Sequence, residues 1–135
     1  MEYEVKLPIK FPTGDIIEAG INIRPGVGAM LKSLNKNFEI IVFTASHPCY
    51  ANVVIDYLDP TGELIHHRLF REHCYLMSNG PYIKDLRIID RDLSKTVLVD
   101  NAAYSYVFQL DNGIPILPYY CGSHDFELKA LQGYL

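Results

Sequence analysis

Strand-like and helix-like segments alternate along most of this chain, and that alternation restricts the folds open to it. The apolar positions of residues 27–34 fall at i, i+3, i+4 and i+7, which is the spacing of an amphipathic helix. The next segment, "FEIIVF", is a short apolar run typical of a buried strand. Because alternating strands and helices bury their apolar faces in a parallel sheet covered by helices, the pattern predicts an α/β fold.

The later elements continue this alternation. After "TASHP", Ser46 is expected to cap a helix with Pro48 in its first turn, and the turn formers at residues 59–62 end that helix. Residues 64–86 hold only short strand-like pieces and a turn. The other predicted elements are a strand over 96–99, a helix over 102–108, a strand over 114–117 and a helix from residue 125.

A small hairpin is predicted in front of this core. The strand-like runs "EYEVKLPIKF" and "IIEAGINI" are separated by turn formers at residues 12–15. With 135 residues and no linker or repeat, the chain is expected to form a single domain, made of the hairpin (1–23) and an α/β core (24–135).

Charge, hydropathy and cysteine content exclude several classes. A net charge of −4 with scattered Lys and Arg lacks the basic stripe of a nucleic-acid or anionic-membrane binder. No apolar run approaches the length of a membrane span, so a soluble, intracellular protein is expected. The three cysteines are far apart, which favours reduced, buried thiols over a disulfide framework or a zinc site.

Polar residues follow two of the predicted strands and form a candidate site. The run "TVLVDN" ends on Asp100 and Asn101, and "FTAS" places Thr44 after another strand. In α/β sheets ligands bind outside the carboxyl ends of the strands. Carboxylate and amide oxygens suit Mg²⁺, the start of the next helix suits a phosphate, and Lys84 could add a positive charge. These are the parts of a phosphoryl-transfer site other than its nucleophile.

Each of these residues also has an ordinary interpretation. Asp100 and Asn101 could form a turn or a helix cap, because both side chains bond to neighbouring backbone. Thr44 and Ser46 could only cap the following helix, and a single Lys84 is usually solvated. It is their combination at strand ends that favours a site.

Six segments carry a family resemblance that runs from about Arg24 to the C-terminus. The chain resembles the phosphatase domain of the family that dephosphorylates the C-terminal repeats of RNA polymerase II, also called NLI-interacting-factor-like phosphatases, in the haloacid-dehalogenase superfamily. The resemblance implies a Rossmann-like parallel sheet with helices on both faces. It also implies a Mg²⁺-dependent protein serine/threonine phosphatase that uses an aspartyl-phosphate intermediate, acts on a phosphoserine- or phosphothreonine-containing protein and is nuclear. The segments are "FEIIVFTAS", "YANVVIDYLD", "RLFREHC", "YIKDL", "RDLSKTVLVDN" and "NGIPILPYY".

The resemblance implies a role for each candidate residue. Thr44 is similar to the second-motif hydroxyl that contacts the transferred phosphoryl group, and Lys84 to the third-motif cation that neutralises it. Asn101 resembles the family's metal ligand. Asp100 resembles its acidic neighbour, which orients the lysine and a metal-bound water. The resemblance therefore implies that Thr44, Lys84 and Asp100 are catalytic and that Asn101 and Asp100 hold the metal.

One family motif is absent from these 135 residues. The first motif, Asp-x-Asp-x-Thr, supplies the attacking aspartate, and Asp15 cannot replace it because it lies in a turn with Ile17 two positions on. Without that motif the chain is expected to be inert or nearly so and to bind Mg²⁺ weakly or not at all. In the superfamily the missing strand lies between the strands that here end at Phe43 and Val99, so its loss would leave two unpaired edges. We therefore expect a chain truncated upstream of residue 1.

The alternative is a catalytically inactive phosphopeptide- or protein-binding module. Ten tyrosines make an aromatic binding surface conceivable, although Tyr104, Tyr106 and Phe108 are expected to be mostly core. A cysteine phosphatase loop at Cys74 would need an Arg where Gly80 stands. Adjacent His66 and His67 would point to opposite faces of a strand, so a shared zinc is not expected. The sequence leaves the oligomeric state open.

Overall fold

The computed structural model describes residues 3–135 and contains three α-helices, four 3₁₀ helices and eight short strands over that range. No helix in this range is long and apolar enough to cross a membrane. The helices are α1 (Val27–Leu34), α2 (Pro48–Leu58) and α3 (Glu127–Tyr134). The strands are β1 (Val5–Lys10), β2 (Ile16–Ile21), β3 (Ile41–Phe43), β4 (His67–Leu69), β5 (Tyr75–Leu76), β6 (Tyr82–Ile83), β7 (Leu98–Asp100) and β8 (Gly113–Pro115).

The hairpin predicted near the N-terminus is confirmed. Strands β1 and β2 pair antiparallel, from Val5 opposite Ile21 to Lys10 opposite Ile16. The turn is closed by the Phe11 N–H, which donates to the Asp15 carbonyl at 2.8 Å. Ile9 in β1 is almost fully buried. Because β1 packs against α2, the hairpin is attached to the α/β core instead of extending from it.

Parallel pairing is also confirmed, but the parallel strands form two separate pairs. Strand β3 pairs with β4, and β7 pairs with β8. Strands β5 and β6 form a second, short antiparallel hairpin. Within residues 3–135, β3 and β7 each have a single partner and do not pair with each other.

Two apolar clusters stabilise the two parallel pairs. One cluster connects α1, α2 and β3, with Val42 of β3 packed against it, and the other lies under β7 and contains Tyr106. Full burial of an aliphatic side chain contributes roughly 1.5–3 kcal/mol. The buried members are Leu31, Ala51, Ile55 and Ile65 in the first cluster and Leu86, Leu98 and Tyr106 in the second.

The start of α2 differs from its prediction by one residue. His47, not Ser46, is the cap, and its Nδ1 accepts from the Cys49 N–H at 3.1 Å. Pro48 is the first helical residue, as predicted. The Ser46 N–H instead donates to Thr44 Oγ1 at 3.1 Å, and its carbonyl accepts from the Arg71 N–H. Ser46 therefore belongs to the turn after β3, and the helix begins one residue later.

The helix predicted over 102–108 is an irregular 3₁₀ segment, Ala103–Asn112. The backbone leaves helical geometry at Tyr106 and Gln109. Hydrogen bonds from a distant segment explain this break. Gln109 Oε1 accepts from the Leu86 N–H at 2.9 Å, and the Ser105 carbonyl accepts from the Lys84 N–H at 2.8 Å.

This irregular segment also corrects the prediction for its aromatic residues. Tyr106 is buried as predicted, whereas Tyr104 and Phe108 are exposed. Residues four positions apart share one face of a helix, so Tyr104 and Phe108 lie together and Tyr106 lies on the opposite face. The prediction that these aromatic residues are core is therefore right only for Tyr106.

The three cysteines are free thiols, as predicted. The cysteines are less buried than predicted. Cys49 and Cys74 are half-buried, and Cys121 is exposed in the loop that precedes α3. Cys121 follows Tyr120, which is also exposed, so this loop lies outside the core.

Candidate functional site

Lys84 and Asp100 form an ion pair at the carboxyl end of β7. The Lys84 ammonium donates to Asp100 Oδ2 at 2.5 Å, and the side chains are only 14% and 7% exposed. The other carboxylate oxygen accepts from the Ala102 N–H at 2.8 Å. A charge with so little water around it is tolerated because it is paired and hydrogen-bonded. Asp100 therefore holds the Lys84 ammonium in one position.

Thr44 follows β3 directly and continues its ladder. The Thr44 N–H donates to the Leu69 carbonyl at 2.9 Å, so the residue is held at the end of the β3–β4 pair. Its hydroxyl oxygen accepts from the Ser46 N–H. A hydroxyl has one donor and two acceptor positions, so this bond leaves the Thr44 proton available to a ligand. Through this hydrogen bond Thr44 stabilises the turn before α2, and it is not the cap of that helix.

Cys74 contacts the backbone of Thr44 and lies near the charges of Lys84, Arg71 and Asp100. Its sulfur is 3.8 Å from the Thr44 carbonyl oxygen. Burial raises the pKa of the Cys74 thiol, which nearby Lys84 and Arg71 lower and nearby Asp100 raises further. Cys74 is thus a common neighbour of Thr44, Lys84 and Asp100. The raised pKa favours the protonated thiol.

Asn101 and Asp100 are the residues that could form a binding site for a divalent cation. Asn101 is exposed, so its amide oxygen is open to a ligand. Both carboxylate oxygens of Asp100 already accept hydrogen bonds. Within residues 3–135 no group of three or more His, Cys, Asp or Glu side chains is arranged to hold a metal. Because Mg²⁺ keeps several waters and needs only one or two carboxylates, this donor set fits weak binding.

Arg71 is a candidate site residue that the sequence analysis did not assign. Its Nε donates to the Ala45 carbonyl at 2.7 Å, next to Thr44. Its guanidinium lies 5.4 Å from the centre of the Tyr82 ring. A cation–π contact and one backbone hydrogen bond thus hold this cation near Thr44. The available signal was its position two residues after β4, at the carboxyl end of another parallel strand.

His66 and His67 each contact a residue just before β3. His66 Nδ1 accepts from the Ile40 N–H at 2.9 Å. His67 Nε2 lies 3.4 Å from the Glu39 carboxylate. Both side chains bind the segment leading into β3.

With this geometry established, comparison with known proteins identifies the family. Residues 1–135 match the model of the NLI interacting factor-like phosphatase family. The chain belongs to this family. The resemblance inferred from the six sequence segments is thereby confirmed.

Relatives of this chain include proteins from a nematode and a yeast. It is 49% identical over 115 residues to CTD small phosphatase-like protein 3 of Caenorhabditis elegans, covering 85% of this chain and 40% of the relative. It is 47% identical over 105 residues to phosphatase PSR1 of Saccharomyces cerevisiae, covering 78% of this chain and 24% of the relative. The chain thus spans less than half the length of these relatives.

A solved structure confirms the fold class. The structure of Fcp1, described as an essential RNA polymerase II CTD phosphatase, superposes with a TM-score of 0.72 and 26% sequence identity. The match covers 96% of this chain and 36% of Fcp1. The α/β fold of the haloacid-dehalogenase type predicted from the sequence is therefore confirmed for this family member.

Proposed function

We propose that this chain forms the phosphate-binding part of a Mg²⁺-dependent protein serine/threonine phosphatase. The observation that carries the proposal is the largely buried ion pair of Lys84 and Asp100, which has Cys74 as a common neighbour with Thr44. Membership of a phosphatase family supports the reaction class. The proposed substrate is a phosphoserine- or phosphothreonine-containing protein such as the RNA polymerase II C-terminal repeats, and that substrate would imply a nuclear location.

Electrostatic stabilisation is the proposed contribution of these residues. Charge develops on the oxygens of a phosphoryl group during transfer, and preorganised donors stabilise it without further rearrangement. The Lys84 ammonium would contact these oxygens, and Asp100 would keep it in place. The Thr44 hydroxyl proton would donate to another phosphoryl oxygen. Arg71 would add a second positive charge on the same side.

Magnesium is proposed to bind beside this pair. The Asn101 amide oxygen and Asp100 would hold it together with water and the substrate phosphate. When bound, the ion would neutralise phosphate charge. The two protein side chains alone would give only weak affinity.

The attacking group is the part that residues 1–135 do not supply in this proposal. Asp100 is a poor candidate because its oxygens are already occupied by Lys84 and the Ala102 N–H. We propose that the aspartate forming the aspartyl-phosphate lies in a segment upstream of residue 1. The 135-residue chain alone would then bind a phosphate ester without hydrolysing it.

The test compares this chain with a version extended upstream to include an Asp-x-Asp-x-Thr motif. Phosphate release from a phosphoserine peptide is measured with and without Mg²⁺. We expect release only from the extended version and only with Mg²⁺. Replacement of Lys84 by Met in that version should reduce kcat at least about 100-fold. Inactivity of the extended protein with several phosphopeptides would contradict the phosphatase proposal.

A binding module without chemistry is the second candidate. Exposed aromatic side chains favour it, because Tyr75 and Phe108 form an edge-to-face pair with ring centres 5.5 Å apart on the surface. Calorimetry of the extended protein with the phosphorylated and unphosphorylated peptide separates the two candidates. Phosphate-dependent binding without turnover would support the binding module.

A further inference from the structure

His73 closes the short turn that carries Arg71. This turn is the 3₁₀ segment Arg71–His73, which begins directly after Phe70. His73 Nδ1 accepts from the Phe70 N–H at 2.8 Å, and the His73 N–H donates to the Phe70 carbonyl at 2.9 Å. A side chain at the third helical position that reaches back to the N–H before the helix fixes the start of that helix. His73 therefore bonds both polar backbone groups of Phe70.

The same turn contacts the end of β3 through Arg71. The Arg71 N–H donates to the Ser46 carbonyl at 3.1 Å, and Arg71 Nε donates to the Ala45 carbonyl at 2.7 Å. Both carbonyls belong to the two residues that follow Thr44 in the chain. A shift of the turn that His73 closes would therefore move the Arg71 guanidinium relative to Thr44.

Arg71 differs from the other arginines in how it is held. In the described part of the chain its guanidinium has no carboxylate partner, and it contacts the Ala45 carbonyl and the Tyr82 ring. Because no carboxylate holds this guanidinium, its place beside Thr44 depends on the backbone of its own turn. The other arginines each pair with a carboxylate, and they are Arg24, Arg68, Arg87 and Arg91.

We propose that His73 is a positioning residue for the phosphate-binding site, because its Nδ1 fixes the turn that holds the Arg71 guanidinium beside Thr44. This inference rests on the proposed function, in which Arg71 adds positive charge beside the phosphoryl oxygens. While Nδ1 accepts a hydrogen bond, the ring carries its proton on Nε2 and contributes an acceptor. A preorganised cation stabilises developing charge without rearrangement, so a loosened turn weakens that stabilisation.

His66 makes the same kind of hydrogen bond at the other end of β3. Its Nδ1 accepts from the Ile40 N–H at 2.9 Å. Ile40 lies before the amino end of β3, whereas Thr44 follows the carboxyl end. Loss of either imidazole removes one hydrogen bond to a backbone N–H, so the two losses should affect stability similarly. His66 is therefore a matched control for a purely structural role of His73.

The first test measures phosphate release from a phosphoserine peptide by the upstream-extended protein. His73→Leu keeps a side chain of moderate size without an acceptor, and His73→Asn restores an acceptor at the same position along the side chain. We expect kcat/KM to fall at least about tenfold for His73→Leu, but less than about threefold for His73→Asn and His66→Leu. Urea denaturation should show similar losses of stability for the two leucine variants. Equal losses of kcat/KM in His73→Leu and His73→Asn, or in the two leucine variants, would overturn the proposal.

A double-mutant cycle tests whether His73 acts through Arg71. Arg71→Ala removes the guanidinium. In that variant, adding His73→Leu should change kcat/KM by less than about twofold, because the cation that His73 positions is no longer present. A further loss as large as in the protein with Arg71 would show that His73 acts independently, and would overturn the proposal.

A measurement without turnover separates this inference from the proposed function. The Arg71 Nε–H donates to the Ala45 carbonyl, so its exchange with water, followed by ¹⁵N NMR of the upstream-extended protein, reports how firmly the guanidinium is held. Exchange should be at least about tenfold faster in His73→Leu and unchanged in His73→Asn and His66→Leu. Unchanged exchange in His73→Leu would overturn the inference even in an active phosphatase. The expected exchange in a protein without phosphatase activity would support the positioning role and contradict only the proposed function.

Discussion

Lys84 and Asp100 connect two distant parts of the chain through one ion pair. The Lys84 ammonium, which follows β6, lies 2.5 Å from Asp100 Oδ2 at the end of β7. The Lys84 N–H also donates to the Ser105 carbonyl at 2.8 Å. The pair therefore contributes to the fold and to the candidate site at once, so its removal should be visible in stability even where no activity is measured.

Replacement of Lys84 by Met should lower the free energy of unfolding by about 3 kcal/mol, because it leaves the Asp100 carboxylate buried without its charge partner. The Ala102 N–H would still donate to that carboxylate, which limits the loss. Urea denaturation measures the change, and Lys36→Met at an exposed position is the matched control. A loss below about 1 kcal/mol would show that the pair is solvent-screened.

Gly113 is predicted to tolerate no side chain. A Cβ atom there would lie 2.2 Å from a ring carbon of buried Tyr106. Gly113→Ala should therefore destabilise the protein by roughly 1–3 kcal/mol, the usual range for overpacking. Gly133→Ala is the matched control, since nothing lies within 4 Å of its Cβ position in α3. That change should stabilise the helix by about 0.5–1 kcal/mol, as denaturation curves would show. Equal effects at the two positions would contradict the predicted clash.

Asp85 should make stability depend on pH in the acid range. Hydrogen bonds from the Arg87 side chain lower the pKa of Asp85 to about 2, below its ordinary value of 3.8. A carboxyl group whose pKa is lower in the folded state stabilises the protein at pH values above its unfolded-state pKa. This stabilisation is lost as the pH falls from about 4 towards 2. We expect about 1 kcal/mol, because Arg87 is solvent-exposed.

Asp85→Asn is the test of this dependence. The amide retains an acceptor for the Arg87 N–H but carries no charge. The difference in unfolding free energy between the two proteins should be present at pH 5 and should shrink towards pH 2. A constant difference over that range would exclude the charge of Asp85 as its cause.

Asn101→Ala should weaken the dependence on Mg²⁺ in the upstream-extended protein. Loss of the amide oxygen removes one of the two proposed protein ligands, so the Mg²⁺ concentration for half-maximal activity should rise about tenfold. Phosphate release against Mg²⁺ concentration measures this. Asn79→Ala, in an exposed turn, should leave the curve unchanged. An unchanged curve for Asn101→Ala would remove Asn101 from the metal site.

Features that depend on neighbouring residues could be predicted from the sequence. The period of residues 27–34 corresponds to α1, and the turn formers at 59–62 end α2. The N-terminal hairpin also agrees, because its turn and its strands are adjacent in the chain. For the site, the sequence predicted which residues follow the strands. Their catalytic and metal-binding roles stay predictions.

Features that depend on distant partners could not be predicted. The helix expected over 102–108 is irregular because Gln109 and Ser105 bond to residues 84–86. The cap of α2 is His47 and not the predicted Ser46, because Ser46 forms hydrogen bonds with Thr44 and Arg71. The position of Arg71 after β4 was visible in the sequence, but its contacts with Ala45 and Tyr82 depend on distant segments.

By itself the sequence determined the kind of most strands and helices and the residue types at the strand ends, because hydrophobic period and turn chemistry act over a few residues. Only the tertiary structure decided that Lys84 pairs with Asp100, whereas the separation of β3 from β7 agrees with the two unpaired edges that the family resemblance implied. The pairing of Lys84 with Asp100 depends on burial and hydrogen bonds between segments far apart in the chain. Local propensity cannot specify it, because the same local pattern is compatible with several partners.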